Sequence, residues 1–350
     1  MDFRRLLVLV LPIIVYSINL IIKSNYGKGR LKTISPTIAI IHAIVFSLIM
    51  AYSDPEFGDK KLYSDFYNNI IYIYMHEDYK DSGWMAYVFF IKSFVNSNNP
   101  IYFFCITAFI YTFSYCYYGY RTSSTKFWGY FIILASGMMG FYSYGVNTIR
   151  NGFALGMIMI AMANKKWYTQ IPFFLLAFTF HKSCLLVILA YYFAKYYSNI
   201  KVASIIWIIC FFAAAAGTSI LPYMDALGGL DSRIESYAFS ENEDYNRGFR
   251  LDFIVYSLIP AIICLYWIIK YQIEDKKYRS LLTMYILINA FWLLVITMPY
   301  TNRIAYLSWF LIPTLITYPF FNYLITYNKQ KMFNMATLLF LFVHILFAIK

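Results

Sequence analysis

The chain has 350 residues, of which 61% are hydrophobic and only 13% are charged. Because a soluble domain carries roughly 25% charged residues, this composition excludes an ordinary soluble protein and indicates that lipid surrounds the chain. The formal net charge of +12 does not require a nucleic-acid partner, since basic residues concentrate in the cytoplasmic loops of membrane proteins. The five cysteines lie in or beside apolar runs, so neither a disulfide framework nor a metal site is expected.

Apolar runs long enough to cross a bilayer, about 17 to 25 residues, recur along the whole chain. They predict an all-α, polytopic membrane protein with about twelve transmembrane helices in one integral membrane domain over 1–350. The predicted spans are 6–22, 34–52, 101–119, 127–142, 148–163, 167–180, 183–197, 202–220, 251–269, 281–298, 304–325 and 332–349. The first run lacks a small-residue cleavage site, so it is interpreted as a span and not as a signal peptide.

Two longer polar segments, at about 53–100 and 221–250, interrupt the spans and are net acidic. Lys and Arg are concentrated in one set of short loops, at 23–33, 120–126, 164–166, 198–201, 270–280 and 326–331. The positive-inside rule therefore predicts that the short loops are cytoplasmic and that the two long segments are external. The apolar stretch 84–95 is too short to span the bilayer, and we expect it to form an interfacial helix.

The stretch 143–182 predicts a helical hairpin that brings two polar residues to one end. Arg150 heads the first apolar helix and His181 ends the second, with a short basic turn between the helices. Since the two open ends of a hairpin lie on the same side of a membrane, both residues should face the external compartment. A charge at membrane depth is costly and usually marks a pathway or an active site.

Further basic side chains are predicted to end at the same external level on several separate helices. The set consists of Arg150, Lys182, Arg247, Arg250 and Arg303, with Arg233 in the second long segment. Arginine binds phosphate oxygens in bidentate geometry and keeps its charge, so this set predicts a site for phosphate or pyrophosphate. The alternative for each arginine is that its side chain extends to the lipid headgroups.

The helix headed by Arg150 has two distinct faces. Helical spacing puts Arg150 on one stripe with small and apolar residues, and it puts Gly152 and Gly156 on roughly the opposite face. The glycine face is expected to pack closely on a neighbouring helix, so that the arginine faces a cavity.

Aromatic rings alternate with carboxylates between Tyr63 and Trp84. Flat rings bordered by carboxylates suit sugars, which offer an apolar face and a rim of hydroxyl groups. The alternative is an aromatic belt at the membrane interface.

At these residues the chain resembles the EpsG family of bacterial exopolysaccharide and O-antigen polymerases, a branch of the Wzy-like group. The resemblance rests on NTIRNGFALG at 147–156, FHKSC at 180–184 and NRIAY at 302–306, with SDFY at 64–67 and DSGW at 81–84 in support. The chain departs from the family pattern at two positions. Asn151 stands where the family often has Gln, and Asp81-Ser82 stands where it often has Glu-Pro.

The resemblance implies a GT-C-like glycosyltransferase of the bacterial cytoplasmic membrane. It would join oligosaccharide units carried on undecaprenyl pyrophosphate at the outer face of that membrane, without a metal or another cofactor. Membrane lipid and a chain-length regulator protein are the other partners that this reaction admits. Arg150 and Arg303, joined by Arg250, would hold the pyrophosphate, and Asp65 would be the general base, with His181 as its competitor.

Three other functions are open to the sequence. A flippase or transporter of the same lipid-linked oligosaccharide would also need a basic cavity, but it predicts charges throughout the bilayer and internal repeats. An O-antigen ligase is chemically close to a polymerase and differs in its acceptor. A membrane acyltransferase is disfavoured, because no acidic motif matches its catalytic histidine.

Overall fold

The computed structural model describes residues 7, 10–16, 36–76, 81–122, 128–218, 248–323, 333–335 and 337–342. Fourteen helices are assigned to them and no strand, so the all-α prediction is confirmed for these residues. The helices are α1 Pro36–Ala51, α2 Lys60–His76, α3 Ser82–Val95, α4 Ile101–Thr122, α5 Trp128–Ser136, α6 Met139–Val146, α7 Ile149–Ala163, α8 Trp167–Phe180, α9 Cys184–Tyr196, α10 Ile200–Ala215, α11 Leu251–Tyr271, α12 Lys276–Leu293, α13 Asn302–Trp309 and α14 Ile312–Tyr323.

Two of the described helices, α4 and α11, are long and apolar enough to cross a membrane. The pair α6 and α7 passes the same test as a unit, although it is bent by 114° at the break between the two helices. Several other apolar helices are shorter, with 10–17 residues. The predicted count of about twelve spans is therefore not confirmed, and about half of each of the predicted spans 6–22 and 332–349 lies outside the described residues.

The contacts between residues divide the chain into two compact units, Met1–His181 with Phe320–Lys350 and Lys182–Pro319. In the first unit α4 packs between α1 and α7, and α7 and α8 form the predicted hairpin. The ends of both hairpin helices agree with the prediction to within one residue. The prediction of a single integral membrane domain stays a prediction.

A sharp bend precedes α7 and sets the direction in which this helix runs. The backbone N–H groups of Asn147 and Thr148 both donate to the carbonyl of Ser143, at 2.8 Å and 2.7 Å. A Cβ on Gly152 would lie 2.5 Å from the backbone oxygen of Tyr144 in α6. The bend is therefore closed too tightly for any residue but glycine at position 152.

The polar segment predicted as an external loop at about 53–100 is mostly helical. It contains α2 and α3, which pack on each other. The helix α3 agrees with the apolar stretch expected at 84–95. The helix α2 was not expected, because its polar and aromatic residues alternate without a clear apolar run. Lys60 begins α2 and is 3% exposed.

Two predicted spans are broken in the structure. The span 127–142 is divided into α5 and α6 by a turn at Gly137 and Met138, and the span 304–325 is divided into α13 and α14 at residues 310–311. A Cβ on Gly137 would collide with the Leu341 side chain, 2.1 Å away. Proline is tolerated in the first turn of a helix, and Pro313 follows the second break in that position.

The second unit is built on α12, against which α9, α10 and α13 pack. Two hydrogen bonds between side chains link these helices. The Trp207 Nε1–H donates to Asn289 Oδ1 at 3.1 Å, and Asn289 Nδ2 donates to Ser308 Oγ at 3.0 Å. These bonds tie α10 and α13 to the centre of α12 and satisfy polar groups that would otherwise be costly to bury.

Candidate functional site

Arg150 lies in the first turn of α7 and forms an ion pair that sequence reasoning did not predict. Its NH1 donates to Asp81 Oδ2 at 2.9 Å, across 69 residues of chain. Its Nε donates to the hydroxyl of Tyr63 at 3.4 Å. The guanidinium carbon lies 5.8 Å from the centre of the Tyr63 ring. The arginine is therefore held from two directions, by α2 and by the residue that precedes α3.

The burial of the two partners is unequal. The Asp81 side chain is 1% exposed, whereas the Arg150 side chain is 18% exposed. A carboxylate at such a position is stable only when a positive charge compensates it. A Cβ on Gly83 would lie 2.3 Å from Thr179 Oγ1, so the start of α3 is pressed against the end of α8. This close approach fixes Asp81 beside the hairpin.

An aromatic cluster lies beside this ion pair. Trp84 is fully buried and contacts the ring of Tyr63 at 5.8 Å and the ring of Phe180 at 6.1 Å. Phe180 stacks on Phe153 of α7 with ring centres 4.7 Å apart. Phe153, one turn after Arg150, thus contacts Phe180, which directly precedes His181. This contact agrees with the hairpin geometry expected from the sequence.

The burial of Trp84 bears on the predicted sugar platform. A buried ring cannot offer its face to a sugar, so Trp84 does not serve that role in this arrangement. Its Nε1–H has no hydrogen-bond acceptor among the described residues. Among the described rings of this region, Tyr72 and Tyr74 are exposed, at 62% and 42%.

The two candidate bases lie in different surroundings. Asp65 is exposed on α2, two residues from Tyr63, and residues two apart on a helix point to different faces. The structure therefore does not bring Asp65 to the Arg150 side of α2. His181 is partly exposed and directly follows Phe180 at the end of α8.

Arg250 and Arg303 lie at one end of the second unit. Arg250 precedes α11, and Arg303 lies in the first turn of α13. Trp292, at the end of α12, connects these helix starts. Its Nε1–H donates to Thr301 Oγ1 at 2.9 Å, and its ring lies 6.5 Å from that of Phe253.

Each of these two arginines is fixed by an aromatic ring. The Arg250 guanidinium lies 3.8 Å from the centre of the Phe253 ring, and the Arg303 guanidinium lies 4.7 Å from that of Tyr300. Arg250 also forms a two-pronged ion pair with Asp252, at 2.9 Å from Nε to Oδ1 and 2.6 Å from NH2 to Oδ2. Tyr300 has φ +58°, a strained backbone conformation for a bulky residue.

The predicted basic set is thus less positive than the sequence suggests. Two of its arginines, Arg150 and Arg250, are paired with carboxylates. Lys182 is partly exposed and begins the second unit, whereas Arg233 and Arg247 lie outside the described residues. In the described part of the chain, no group of three or more His, Cys, Asp and Glu side chains could hold a metal ion.

Sequence reasoning missed Asp81 and Asp252 as arginine partners for different reasons. Asp252 is two residues from Arg250 at a helix start, and this local spacing is a readable signal for an ion pair. Asp81 is 69 residues from Arg150, so only the fold brings them together. The one available signal was that DSGW at 81–84 and NTIRNG at 147–152 both carry the family resemblance.

The model of the EpsG family matches residues 37–350. No curated protein and no solved structure matches the chain.

Proposed function

Because the chain belongs to the EpsG family, we propose that it is a polysaccharide polymerase of the bacterial cytoplasmic membrane. An oligosaccharide carried on undecaprenyl pyrophosphate would be transferred to a sugar hydroxyl of a second lipid-linked unit at the outer face of the membrane. The bond between sugar and diphosphate breaks, a glycosidic bond forms, and the acceptor hydroxyl loses its proton. The protein is then a multi-pass glycosyltransferase that releases the lipid diphosphate.

The observation that carries this proposal is the arginine that α7 presents beside a buried carboxylate. As the bond to the leaving group breaks, negative charge grows on the diphosphate oxygens, and a fixed guanidinium stabilises that charge where it appears. Asp81 and Tyr63 hold Arg150 in place, yet 18% of its side chain stays exposed. A side chain already held in this way loses little conformational entropy when the diphosphate binds.

Asp81 orients Arg150 but also partly neutralises it. The attraction of an anion to the guanidinium and its repulsion by the carboxylate both rise with the charge of the anion. The exposed part of Arg150, and not its pairing with Asp81, therefore attracts a diphosphate.

Arg250 and Arg303 are proposed as further diphosphate-binding residues. Each guanidinium lies over an aromatic ring, which fixes the orientation of its plane of donors. At Arg250 a phosphate would replace Asp252 on Nε and NH2 to make two parallel hydrogen bonds. Lys182, Arg233 and Arg247 remain proposed members of the same basic set.

We assign the general base to His181. An imidazole is the side chain most often used to accept a proton and later release it in general acid–base catalysis. Its neighbour Phe180 contacts the first turns of α7 through Phe153, so the histidine lies at the Arg150 end of the hairpin. This proposal exchanges the roles expected from the sequence, where Asp65 was the base and His181 its competitor. Full activity of an Asp65→Asn variant would remove Asp65 from the mechanism.

The test of the proposed function is incubation of the purified protein with a lipid-diphosphate-linked oligosaccharide, followed by measurement of product length. A ladder of products that differ by one repeat unit is the expected result. A single transfer to a lipid A core acceptor would indicate a ligase. Transfer of intact substrate across a proteoliposome membrane with no covalent product would indicate a transporter, and either result would overturn the proposal.

A further inference from the structure

The second unit contains a groove between α10 and α11, with α12 as its floor. Its volume is about 200 Å³, and its lining includes Trp207 from α10, Ser257 and Ala261 from α11, and Asn289 from α12. A water molecule occupies roughly 30 Å³ in the liquid, so the volume of the groove equals that of about seven water molecules. That is room for a short branched hydrocarbon segment and not for a complete polyprenyl tail.

One wall of the groove leads to Arg250 through stacked aromatic rings. Trp207 stacks on Phe211 with ring centres 5.6 Å apart, and Phe211 meets Phe249 at 6.1 Å. Phe249 directly precedes Arg250 in the chain. A hydrocarbon chain that leaves the groove along α10 therefore passes over apolar rings until it reaches the guanidinium.

The opposite wall leads to the same place along α11. Ser257 lies seven residues after Arg250, which corresponds to about 10 Å along a helix. Phe253 lies between them. The Arg250 guanidinium packs on the face of the Phe253 ring, and the centres of the Phe253 and Trp309 rings are 5.3 Å apart. The Trp309 Nε1–H donates to Ser257 Oγ at 2.8 Å, so its polar edge is satisfied and its ring faces remain apolar.

The floor is held rigidly by satisfied polar groups. Asn289 is 1% exposed, and both ends of its amide group are bonded, to Trp207 and to Ser308. The groove therefore has no buried polar group that calls for water or for a polar ligand at this point. Its outer rim on α10 is apolar and accessible, with Ile205 and Ile208 exposed by 57% and 49%, so an occupant can enter from the lipid phase.

We propose that the groove between α10 and α11 binds the first isoprenoid segment of a polyprenyl diphosphate whose phosphates contact Arg250 and Arg303. The inference rests on the proposed function, which supplies the lipid diphosphate. Charge complementarity selects this occupant, because the aromatic walls of the apolar groove lead to the guanidinium groups of Arg250 and Arg303, and in the described part of the chain Asp252 is the carboxylate paired with Arg250. A lipid with an anionic head directly joined to a hydrocarbon chain matches this order of surfaces.

The chain offers a matched pair of alanines for the test. Ala261 lines this groove, and Ala43 lines a second apolar groove of about 510 Å³ between α1 and α4 in the other unit. Both alanines are 8% exposed. Replacing each by Phe adds the same ring to a groove at similar depth, so any general effect of added bulk cancels.

The experiment measures the affinities of farnesyl diphosphate and inorganic pyrophosphate for the purified full-length protein in nanodiscs. We expect Ala261→Phe to weaken farnesyl diphosphate binding at least tenfold and to leave pyrophosphate binding unchanged, and Ala43→Phe to change neither. Ser204→Phe fills the same groove from α10 and should repeat the effect. Thermal unfolding of each variant checks that it folds.

Three results would overturn the inference. The first is an unchanged affinity for farnesyl diphosphate in both groove-filling variants that fold, and the second is an equal loss in Ala43→Phe. The third is displacement of farnesyl diphosphate from the wild-type protein by phosphatidylglycerol, which would make a bulk phospholipid the occupant. A protein that binds farnesyl diphosphate as expected but forms no product ladder from a lipid-diphosphate-linked oligosaccharide would instead count against the proposed function, so the two failures are distinguishable.

Discussion

At the scale of single residues, the central feature is the unequal ion pair of Arg150 and Asp81. Asp81 is almost completely buried, whereas Arg150 keeps a surface that a ligand can reach. Removing one partner of a buried pair costs more than the pair contributes, because the remaining charge is left uncompensated. The pair therefore couples the stability of the α3 start to the orientation of Arg150.

We expect Asp81→Ala to lower the free energy of unfolding by about 3 kcal/mol, the lower limit for breaking a buried pair. The exposed Asp65 is the control, and Asp65→Ala should change stability by less than about 0.5 kcal/mol. Thermal or denaturant unfolding in detergent gives both values. Equal effects of the two substitutions would show that the Asp81 contact contributes nothing to stability.

The adjacent residues Lys60 and Lys61 test how much a buried lysine contributes to stability. The Lys60 Nζ donates at 2.8 Å to the carbonyls of Ala51 and Ser53 and to the hydroxyl of Ser53. It also lies 4.8 Å from the centre of the Phe104 ring. Lysine near a helix C-terminus satisfies carbonyls that have no partner within the helix, so Lys60 closes the end of α1.

We expect Lys60→Met to destabilise the protein by about 2 kcal/mol, since it removes charge-assisted hydrogen bonds and leaves buried carbonyls unpaired. The adjacent Lys61 is the control. Its side chain is 62% exposed and pairs with Glu56, so Lys61→Met should have an effect below about 0.5 kcal/mol. Comparison of the two unfolding midpoints decides the point, and a larger effect at Lys61 would contradict it.

At the scale of helices, the bend between α6 and α7 determines the position of Arg150 in the first turn of α7. The predicted pattern of Gly152 and Gly156 does correspond to close packing, but each glycine faces a different neighbour. Gly152 lies against the backbone of Tyr144, and Gly156 lies against Ser114 of α4. The backbone of α6 cannot move aside, whereas a serine side chain can adjust.

We expect Gly152→Ala to cost about 1–3 kcal/mol through overpacking and to abolish polymer formation, because it opens the bend that positions Arg150. Gly156→Ala adds the same methyl group one turn later and should retain most of the activity. Polymer length in cells and protein unfolding in detergent measure the two effects. Full activity of Gly152→Ala would show that the bend does not matter for function.

The helix assignments could be predicted from the sequence where a helix is apolar throughout. The hairpin of α7 and α8 was located to within one residue, because its two runs are separated by a basic turn. The helix α2 was missed, since its burial is limited to a narrow stripe with Lys60, Tyr63 and Tyr67. The arginines of the site were identifiable by residue type, but the Asp81 partner depends on a contact between distant segments.

At the scale of the whole molecule, the topology in the membrane is the main prediction that stays open. The positive-inside rule places the segment around 53–100 outside and the turn at 164–166 inside. Glu56 and Lys166 are both exposed, so each position can be labelled without disturbing the packing.

We expect Glu56→Cys to react with a membrane-impermeant maleimide in intact spheroplasts. Lys166→Cys should react only after permeabilisation. Both variants are made in a chain whose five native cysteines are replaced by alanine. Labelling of Lys166→Cys from outside would reverse the orientation and place Arg150 on the cytoplasmic side.

The proposed mechanism depends on an arginine that stabilises the diphosphate leaving group during polymerisation. The most direct measurement of this effect is the rate at which the purified protein releases undecaprenyl diphosphate from a lipid-linked oligosaccharide. We expect Arg150→Ala to lower this rate at least about a hundredfold, with Arg150→Lys recovering only part of it. Arg121→Ala, an exposed arginine at the end of α4, should leave the rate unchanged. A wild-type rate in a folded Arg150→Ala protein would show that Arg150 does not stabilise the leaving group.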